Sequence, residues 1–84
     1  MNLKFTEESW DDYLFLLKNG KKLLLRINKL IKEIKRTPYS GTGKPEPLKY
    51  QLRGCWSRRI NDEHRLVYEV DKDELRIISC RYHY

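Results

Sequence analysis

The strongest constraint on the fold is an apolar stripe in residues 21–36. Its members recur at intervals of three and four residues, the spacing of one side of an α-helix, and are Leu24, Ile27, Ile31 and Ile34. We expect the helix to end at Thr37, because the residue before a proline, here Pro38, disfavours helical conformation. An amphipathic helix is stabilised mainly by burial of its apolar face. The rest of the 84-residue chain therefore has to provide a covering layer.

A second, shorter helix precedes this one. Thr6 is suited to cap a helix N-terminus, and Glu7 and Glu8 follow in the first turn, where the helix dipole favours acidic side chains. Asn19 and Gly20 provide a C-terminal stop. The larger apolar side chains of this segment recur at intervals of three and four and are Trp10, Tyr13, Leu14 and Leu17. These signals predict a helix between Thr6 and Gly20.

Short strand-like runs surround the two helices. Residues 2–6 alternate apolar and polar side chains, and a loop rich in Gly and Pro occupies residues 39–47. Further strand-like runs follow at residues 48–52, 55–60, 64–70 and 74–83. Strands joined by such short turns pair antiparallel. We predict one α+β domain over residues 1–84, with an N-terminal strand, two helices and an antiparallel sheet of three to four strands that carries the helices on one face.

Alternation along the predicted strands divides their side chains between the core and a helix-free face. The side chains expected toward the core are Leu66, Tyr68, Val70, Ile78, Cys80 and Tyr82. Those expected on the helix-free face are Arg65, Val67, Ser79, Arg81 and His83. Arg59 joins that face if Trp56 and Ile60 point to the core. The sequence thus predicts a basic sheet surface.

The formal charge of +6 makes nucleic acid the leading partner class, because a basic surface attracts phosphate backbones. A basic ridge follows the polar side of the second helix and comprises Arg26, Lys29, Lys32 and Arg36. Two other interpretations stay open. The net charge can serve solubility alone, and the ridge can be an ordinary solvated helix face.

Several classes of protein are disfavoured. The two histidines and two separated cysteines have no metal-ligand spacing, and the chain has no dinucleotide-binding fingerprint, so we expect neither metal nor cofactor. The longest apolar run, residues 23–25, is far too short to span a membrane. With a charged N-terminal segment and no secretory signal, we expect a cytoplasmic protein in which Cys55 and Cys80 are reduced and buried.

Without a metal or cofactor, the predicted sheet face has acids, bases and cations with which to carry out a reaction. Cleavage of RNA without metal requires a base for the 2′-hydroxyl, an acid for the departing 5′-oxygen and cations for the phosphoryl charge. Glu46 is a candidate base because Pro45 and Pro47 restrict the backbone on both sides, and Lys49 lies three residues on. The alternative for Glu46 is an ordinary charged loop residue.

The C-terminal residues contain the candidate acid. His83 is either a surface imidazole on a frayed tail or an acid held in place by Tyr82, and Tyr84 either stacks on a base or fills an apolar gap. Arg65 is either a phosphate clamp or the ion-pair partner of Glu63 or Glu69.

Four motifs together resemble one family. They are GKPEPLK at 43–49, WSRRI at 56–60, EHRLVY at 63–68 and the terminal RYHY at 81–84, and EESWDDY at 7–13 adds to them. In combination they resemble the YoeB toxins of the RelE/ParE superfamily of toxin–antitoxin systems, over nearly the full chain. Two positions differ from the family pattern: Tyr50 stands where histidine is common, and Cys55 stands where an aromatic residue is usual.

The resemblance implies a small RelE-like fold and a ribosome-dependent mRNA endonuclease, or mRNA interferase, that inhibits translation. By the family motifs, Glu46 would be the general base, Arg65 the transition-state cation and His83 the general acid. Supporting RNA contacts would come from Lys49, Arg59 and Tyr84. The expected products are a 2′,3′-cyclic phosphate or 3′-phosphate and a 5′-hydroxyl.

The resemblance also implies partners: the ribosome with its mRNA, a YefM-like antitoxin whose acidic segment covers the basic face, and room for a homodimer. Two other functions stay open at this point. ParE-type relatives share the fold and poison DNA gyrase without cutting RNA, and a catalytically silent RNA-binding module would keep the basic face alone. The trio Glu46, Arg65 and His83 favours the nuclease, because neither alternative needs it.

Overall fold

The fold is a five-stranded sheet with two helices packed against one face. The computed structural model describes residues 1–81. The elements are β1 (Asn2–Phe5), α1 (Glu7–Asn19), α2 (Lys21–Arg36), β2 (Glu46–Pro47), a 3₁₀ turn (Tyr50–Leu52), β3 (Trp56–Arg59), β4 (Arg65–Asp71) and β5 (Glu74–Ser79). The predicted α+β architecture is confirmed.

The sheet is mixed, with strand order β1-β5-β4-β3-β2. Strands β2 to β5 pair antiparallel, as predicted, and β1 adds a fifth strand in parallel beside β5. The prediction of a strand at residues 48–52 is wrong. That segment forms the 3₁₀ turn, and the strand beside β3 comes from Glu46–Pro47, within the predicted loop.

The core lies between α2 and the sheet. The predicted stripe of α2 is confirmed, since Leu24, Ile27, Leu30, Ile31 and Ile34 are all buried. From the sheet, the fully buried members of the same cluster are Leu66, Tyr68, Leu75 and Ile77. No helix within residues 1–81 is long and apolar enough to span a membrane.

Helix α1 buries a different side from the one its apolar spacing suggests. Its buried residues are Ser9 and Leu16, whereas Trp10, Leu14 and Leu17 are each more than 40% exposed. The reason is polar anchoring. The Ser9 hydroxyl donates to the Ile77 carbonyl over 2.7 Å, and the Thr6 hydroxyl, which accepts from the Ser9 N–H, caps the helix as predicted. These bonds turn the Ser9 side of α1 toward β5.

The end of β5 contains a β-bulge, which overturns the predicted alternation there. Val67 pairs with Ser79 and Tyr68 with Ile77, so Ile78 is an extra residue. Ile77 and Cys80 therefore point to the core, and Ile78 packs on the other face. The predictions for Ile78 and Arg81 are wrong. The Arg81 guanidinium lies 3.6 Å from the centroid of the Phe15 ring of α1 rather than on the helix-free face.

The helix-free face is partly covered. A second apolar cluster lies there and comprises Leu48, Cys55 and Val67, with the partly buried Leu52 and Ile78 packed against it. Val67 is on this face as predicted, but it is only 1% exposed because the segment around the 3₁₀ turn covers it. The part of the helix-free face that stays uncovered lies beside β2.

Both cysteines are buried free thiols, as predicted. Burial raises the pKa of Cys80 to about 12, and the nearby Asp12 carboxylate adds to the increase. The Sγ atom lies 3.7 Å from the Ser9 carbonyl, within the contact between α1 and β5. Burial also raises the pKa of Cys55, with a further contribution from Glu69.

Cys80 should make the fold sensitive to alkali. Its thiol ionises near its ordinary pKa of 9.0 in the unfolded chain but only at about 12 in the folded one. The associated stabilisation is present below pH 9 and is lost as the pH rises toward 12. Across that window the free energy of unfolding of the wild type should fall faster than that of Cys80→Ala, by up to about 1.4 kcal/mol per pH unit. Urea denaturation of both proteins at several pH values measures the difference, and parallel slopes would contradict it.

Candidate active site

The register of three strands brings the predicted site residues onto one face. Glu46 of β2 pairs with Ser57 of β3, which pairs with Val67 of β4. Two residues along the strands, on the same face, Arg59 pairs with Arg65. Because cross-strand partners share a face, Glu46, Arg59 and Arg65 lie together on the side away from the helices. Trp56 and Ile60 pack with the core, the condition under which Arg59 was expected here.

Glu46 and Arg65 form an ion pair. Arg65 Nη1 donates to Glu46 Oε1 over 3.3 Å. The Arg65 side chain is 15% exposed and the Glu46 side chain 51%, so the carboxylate is the member open to solvent. The sequence offered Glu63 or Glu69 as partners, but Glu63 lies beside His64 and Glu69 binds Arg76. An acid and a cation far apart in sequence are thus joined on the open face.

A polar group beneath the pair is unsatisfied. Ser57, opposite Glu46 in the sheet, is fully buried, and its hydroxyl has no hydrogen-bond partner among residues 1–81. Unsatisfied buried groups are rare in native structures, and each calls for an explanation such as a catalytic role or an ordered water. Ser57 therefore marks this row of the sheet as unusual.

A shallow groove of about 420 Å³ adjoins the pair. It is formed by the consecutive residues 46–52, so Glu46 and Lys49 open into the same space. A cation three residues from the carboxylate along one wall of a groove suits a polyanion that lies along it. Glu46, Lys49, Arg59 and Arg65 are therefore the predicted site residues that the described part of the chain brings together. His83 and Tyr84 lie outside the described residues.

A buried arginine fixes the loop that leads to Glu46. Arg58, on the core face of β3, is 0% exposed. Its Nη2 donates to the carbonyls of Thr37 and Ser40 over 2.6 and 2.8 Å. Its Nη1 donates to Glu33 over 2.6 Å and to the Thr42 carbonyl over 3.2 Å.

The same loop is held from other sides. Arg58 Nε donates to the Tyr68 hydroxyl, which in turn donates to the Pro38 carbonyl over 2.6 Å. Glu33 accepts from the Thr42 N–H over 2.6 Å, and this bond, with the Arg58 contact, holds the pKa of Glu33 below its ordinary value. The Arg59 N–H donates to the Gly43 carbonyl over 2.7 Å. The chain is therefore pinned up to three residues before Glu46.

Arg58 was not among the predicted site residues, although its parity with Trp56 and Ile60 already placed it toward the core. A charged side chain on the core side of a strand is rare unless it is fully paired. That mismatch was the available signal for a buried polar network.

Removal of Arg58 should be far costlier than removal of its neighbour. Arg58→Leu leaves the Thr37, Ser40 and Thr42 carbonyls without their donor, and we expect the free energy of unfolding to fall by about 3 kcal/mol or more. Arg59→Leu, on the same strand but exposed, is the matched control and should change it by less than about 1 kcal/mol. Urea denaturation measures both. A loss for Arg58→Leu as small as the one expected for Arg59→Leu would show that the network does not stabilise the fold.

The excess positive charge of the protein resides on α2. The helix carries seven of the 18 Lys and Arg residues but one of the 12 Asp and Glu residues, so the rest of the chain is formally neutral. That one acid, Glu33, is engaged by Arg58 and Thr42. Lys29, Lys32 and Arg36 of the predicted ridge are exposed. Within residues 1–81, no cluster of His, Cys, Asp and Glu could hold a metal ion.

The chain is similar to solved structures of YoeB toxins. The chain superposes on a YoeB/ParE toxin from Agrobacterium tumefaciens with a TM-score of 0.97, at 50% identity and full coverage of both chains. It superposes on a YoeB–YefM complex from Staphylococcus aureus with a TM-score of 0.92, at 48% identity, covering 100% of this chain and 98% of that one. A dimer of the S. aureus YoeB has also been solved. The fold with its paired acid and arginine thus defines a small toxin of the toxin–antitoxin class.

The sequence comparison defines the family. The model of the "YoeB-like toxin of bacterial type II toxin-antitoxin system" matches residues 5–84. The YoeB toxin of Synechocystis sp. is 63% identical over 84 residues, which cover 100% of this chain and 98% of that protein. The chain belongs to the YoeB toxin family, as its motifs predicted.

Proposed function

We propose that the protein is a ribosome-dependent mRNA endonuclease that inhibits translation by metal-independent acid–base cleavage. The observation that carries this proposal is the Glu46–Arg65 pair on an open face beside a groove that also contains Lys49. A carboxylate, a guanidinium and further cations are the groups that RNA transesterification requires, apart from the acid. Family membership supports the proposal.

Glu46 is the general base. Its carboxylate takes the proton of the 2′-hydroxyl, and the 2′-oxygen attacks the adjacent phosphorus. Arg65 and its neighbour Arg59 neutralise the charge that builds on the phosphoryl oxygens, a task suited to the planar guanidinium fork. The bond to the 5′-oxygen breaks as His83 protonates it. The products are a 2′,3′-cyclic phosphate, which can hydrolyse to a 3′-phosphate, and a 5′-hydroxyl.

The resting ion pair has a place in this scheme. In the free protein Arg65 is hydrogen-bonded to Glu46. A bound phosphodiester offers Arg65 a second anion and competes for its N–H donors. As Arg65 turns toward the phosphate, its hydrogen bond to Glu46 weakens, and the carboxylate becomes a better proton acceptor. The same contact therefore holds the base in position and releases it when substrate arrives.

The position of β5 supports the role of His83. Ser79, the last residue of β5, pairs with Val67 near the start of β4, and Arg65 is the first residue of β4. The chain thus leaves the sheet at the end where Arg65 lies, four residues before His83.

The ribosome is the proposed partner in cleavage, because few catalytic groups are present and an mRNA held in the decoding site would already be shaped for attack. The site of action is then the cytoplasm. A YefM-like antitoxin is the proposed inhibitor, its acidic segment covering the basic face, since the S. aureus relative has been solved with YefM. We also infer that this chain can form a homodimer, as that relative does.

Glu46→Gln tests the base. The substitution keeps the shape of the side chain but removes its ability to take a proton, and mRNA cleavage should fall about 10²- to 10⁴-fold. Expression in bacteria with mapping of mRNA 5′ ends measures the effect, and the ends of the wild type should become ligatable only after phosphorylation. The matched control is Glu74→Gln, which removes a carboxylate paired with Arg76 on β5, and it should cut normally.

Three results would contradict this proposal. Normal cleavage by Glu46→Gln would show that another group takes the proton of the 2′-hydroxyl. DNA breaks with intact mRNA would identify a gyrase poison. Growth arrest by the wild type without any new RNA ends, unchanged in Glu46→Gln, would identify a catalytically silent RNA-binding module.

His83→Gln tests the acid. The variant should lose the alkaline limb of the pH profile of cleavage, because no imidazole remains to lose its proton as the pH rises. Cleavage of translated mRNA in a purified ribosomal system, measured from pH 5 to 9, gives the profile. A variant with the wild-type profile and rate would show that another group protonates the leaving oxygen.

A further inference from the structure

Tyr50 is the most exposed large apolar side chain in the described part of the chain. Its exposure is 85%, whereas the next, Leu25, is 62% exposed. Two residues to either side, Leu48 is buried and Leu52 is half-buried in the second apolar cluster. The apolar side chains of this segment thus turn inward, except for the aromatic ring.

Tyr50 also has a strained backbone. Its φ of 57° lies in the left-handed region, which is unfavourable for a bulky residue and is usually occupied by glycine. Lys44 and Lys72 are the other non-glycine residues with positive φ in residues 1–81. Lys44 and Tyr50 lie two residues before and four residues after Glu46. Strain of this kind persists where the surroundings hold the backbone and is concentrated at functional sites.

The surroundings of Tyr50 are well defined. The Arg53 N–H donates to the Tyr50 carbonyl, and the Leu52 N–H donates to the Lys49 carbonyl, each over 3.1 Å. Cys55 and Leu48 close the segment with a further backbone bond of 2.9 Å. The ring therefore projects from a closed turn rather than from a loose loop.

The turn places the ring at the proposed cleavage site. Tyr50, Lys49 and Glu46 line the same groove. The groove thus offers a carboxylate, a cation and an aromatic ring, which suit three groups of a nucleotide: a ribose hydroxyl, a phosphate and a base. An exposed ring beside a phosphate-binding cation is the arrangement by which single-stranded nucleic acids are held.

We propose that Tyr50 is a binding residue on which a nucleobase next to the scissile phosphate stacks. This inference rests on the proposed function and adds to it a contact that fixes the position of one base. The chemistry requires a single-stranded RNA, because only an unpaired base exposes its face to a side chain. The contact acts on binding and on base preference, while Glu46 and Arg65 act on the reacting atoms.

Tyr50→Gly separates this role from a structural one. Glycine accepts a φ of 57° without strain, so the variant should melt at or above the temperature of the parent, even though the ring is lost. The probe is a fluorescent single-stranded RNA oligonucleotide with 2′-O-methyl groups, which cannot be cleaved. Loss of one stacked base should weaken its binding about tenfold, measured by fluorescence anisotropy.

Two further variants complete the test. Tyr50→Phe keeps the ring and should bind within about twofold of the parent. Lys72→Gly relieves the same strain in the β4–β5 hairpin, far along the chain from the groove, and should leave RNA binding unchanged. In cleavage of translated mRNA, Tyr50→Gly should raise KM more than it lowers kcat and should alter the base found beside the cut.

Unchanged RNA binding by Tyr50→Gly, a wild type that does not bind the probe, or a Phe variant as weak as the Gly variant would each overturn the inference. A Tyr50→Gly protein that melts well below the parent would show a structural role instead. The binding assay requires no cleavage. Failure of the nuclease proposal, seen as the absence of new mRNA ends with the wild type, is therefore distinguishable from failure of this one.

Discussion

The structure around the candidate site depends on the burial of one arginine. Arg58 is fully buried, and the cost of removing a guanidinium from water is several kcal/mol unless its donors are satisfied. Its Nε, Nη1 and Nη2 atoms all donate, to one carboxylate, one hydroxyl and three carbonyls. The carbonyls belong to a loop with no regular structure of its own. A buried cation thus substitutes for the backbone pairing that a strand or helix would provide.

This substitution explains how a short chain can hold the loop that leads to Glu46. The 37–43 segment runs from the end of α2 to the approach of β2, and β2 itself has only two residues. Its two residue pairs with β3 alone would position Glu46 weakly. Because Arg58 is on β3 and Arg65 is on β4, adjacent strands fix both the loop that leads to Glu46 and the cation that pairs with it. The relative positions of Glu46 and Arg65 therefore follow from the pairing of the strands.

The parts of the fold that the sequence predicts are those governed by local periodicity. The stripe of α2 and the Thr6 cap depend on neighbours within one turn, and both were correct. The errors have non-local causes. The extra residue Ile78 reverses the alternation of side chains after it, so that Arg81 lies against the Phe15 ring. The amino-acid sequence of β5 alone contains no signal of a bulge.

The candidate site, like the fold, has features that local sequence predicts and features that depend on non-local contacts. Residue chemistry and family motifs were enough to select Glu46 and Arg65, but their contact depends on the pairing of β2, β3 and β4, which composition does not encode. The run at 48–52 reads as a strand because apolar residues alternate at Leu48, Tyr50 and Leu52. The alternating pattern does not indicate that Tyr50, the middle residue, has a positive φ. Leu48 and Leu52 anchor the turn, and the ring of Tyr50 is left in solvent, where it forms part of the proposed binding site.

The charge distribution separates attraction from chemistry. The net charge of +6 is that of α2, which packs on the core face of the sheet, while Glu46 and Arg65 lie on the opposite face. The two surfaces are in contact through Arg26 of the ridge, whose Nη2 donates to the Arg59 carbonyl over 3.4 Å. The charges of the ridge act over about one Debye length, so they can raise the local concentration of a polyanion. In the proposed reaction the phosphate is neutralised by Lys49, Arg59 and Arg65, so loss of ridge charge should slow encounter, whereas loss of these three cations should slow cleavage itself.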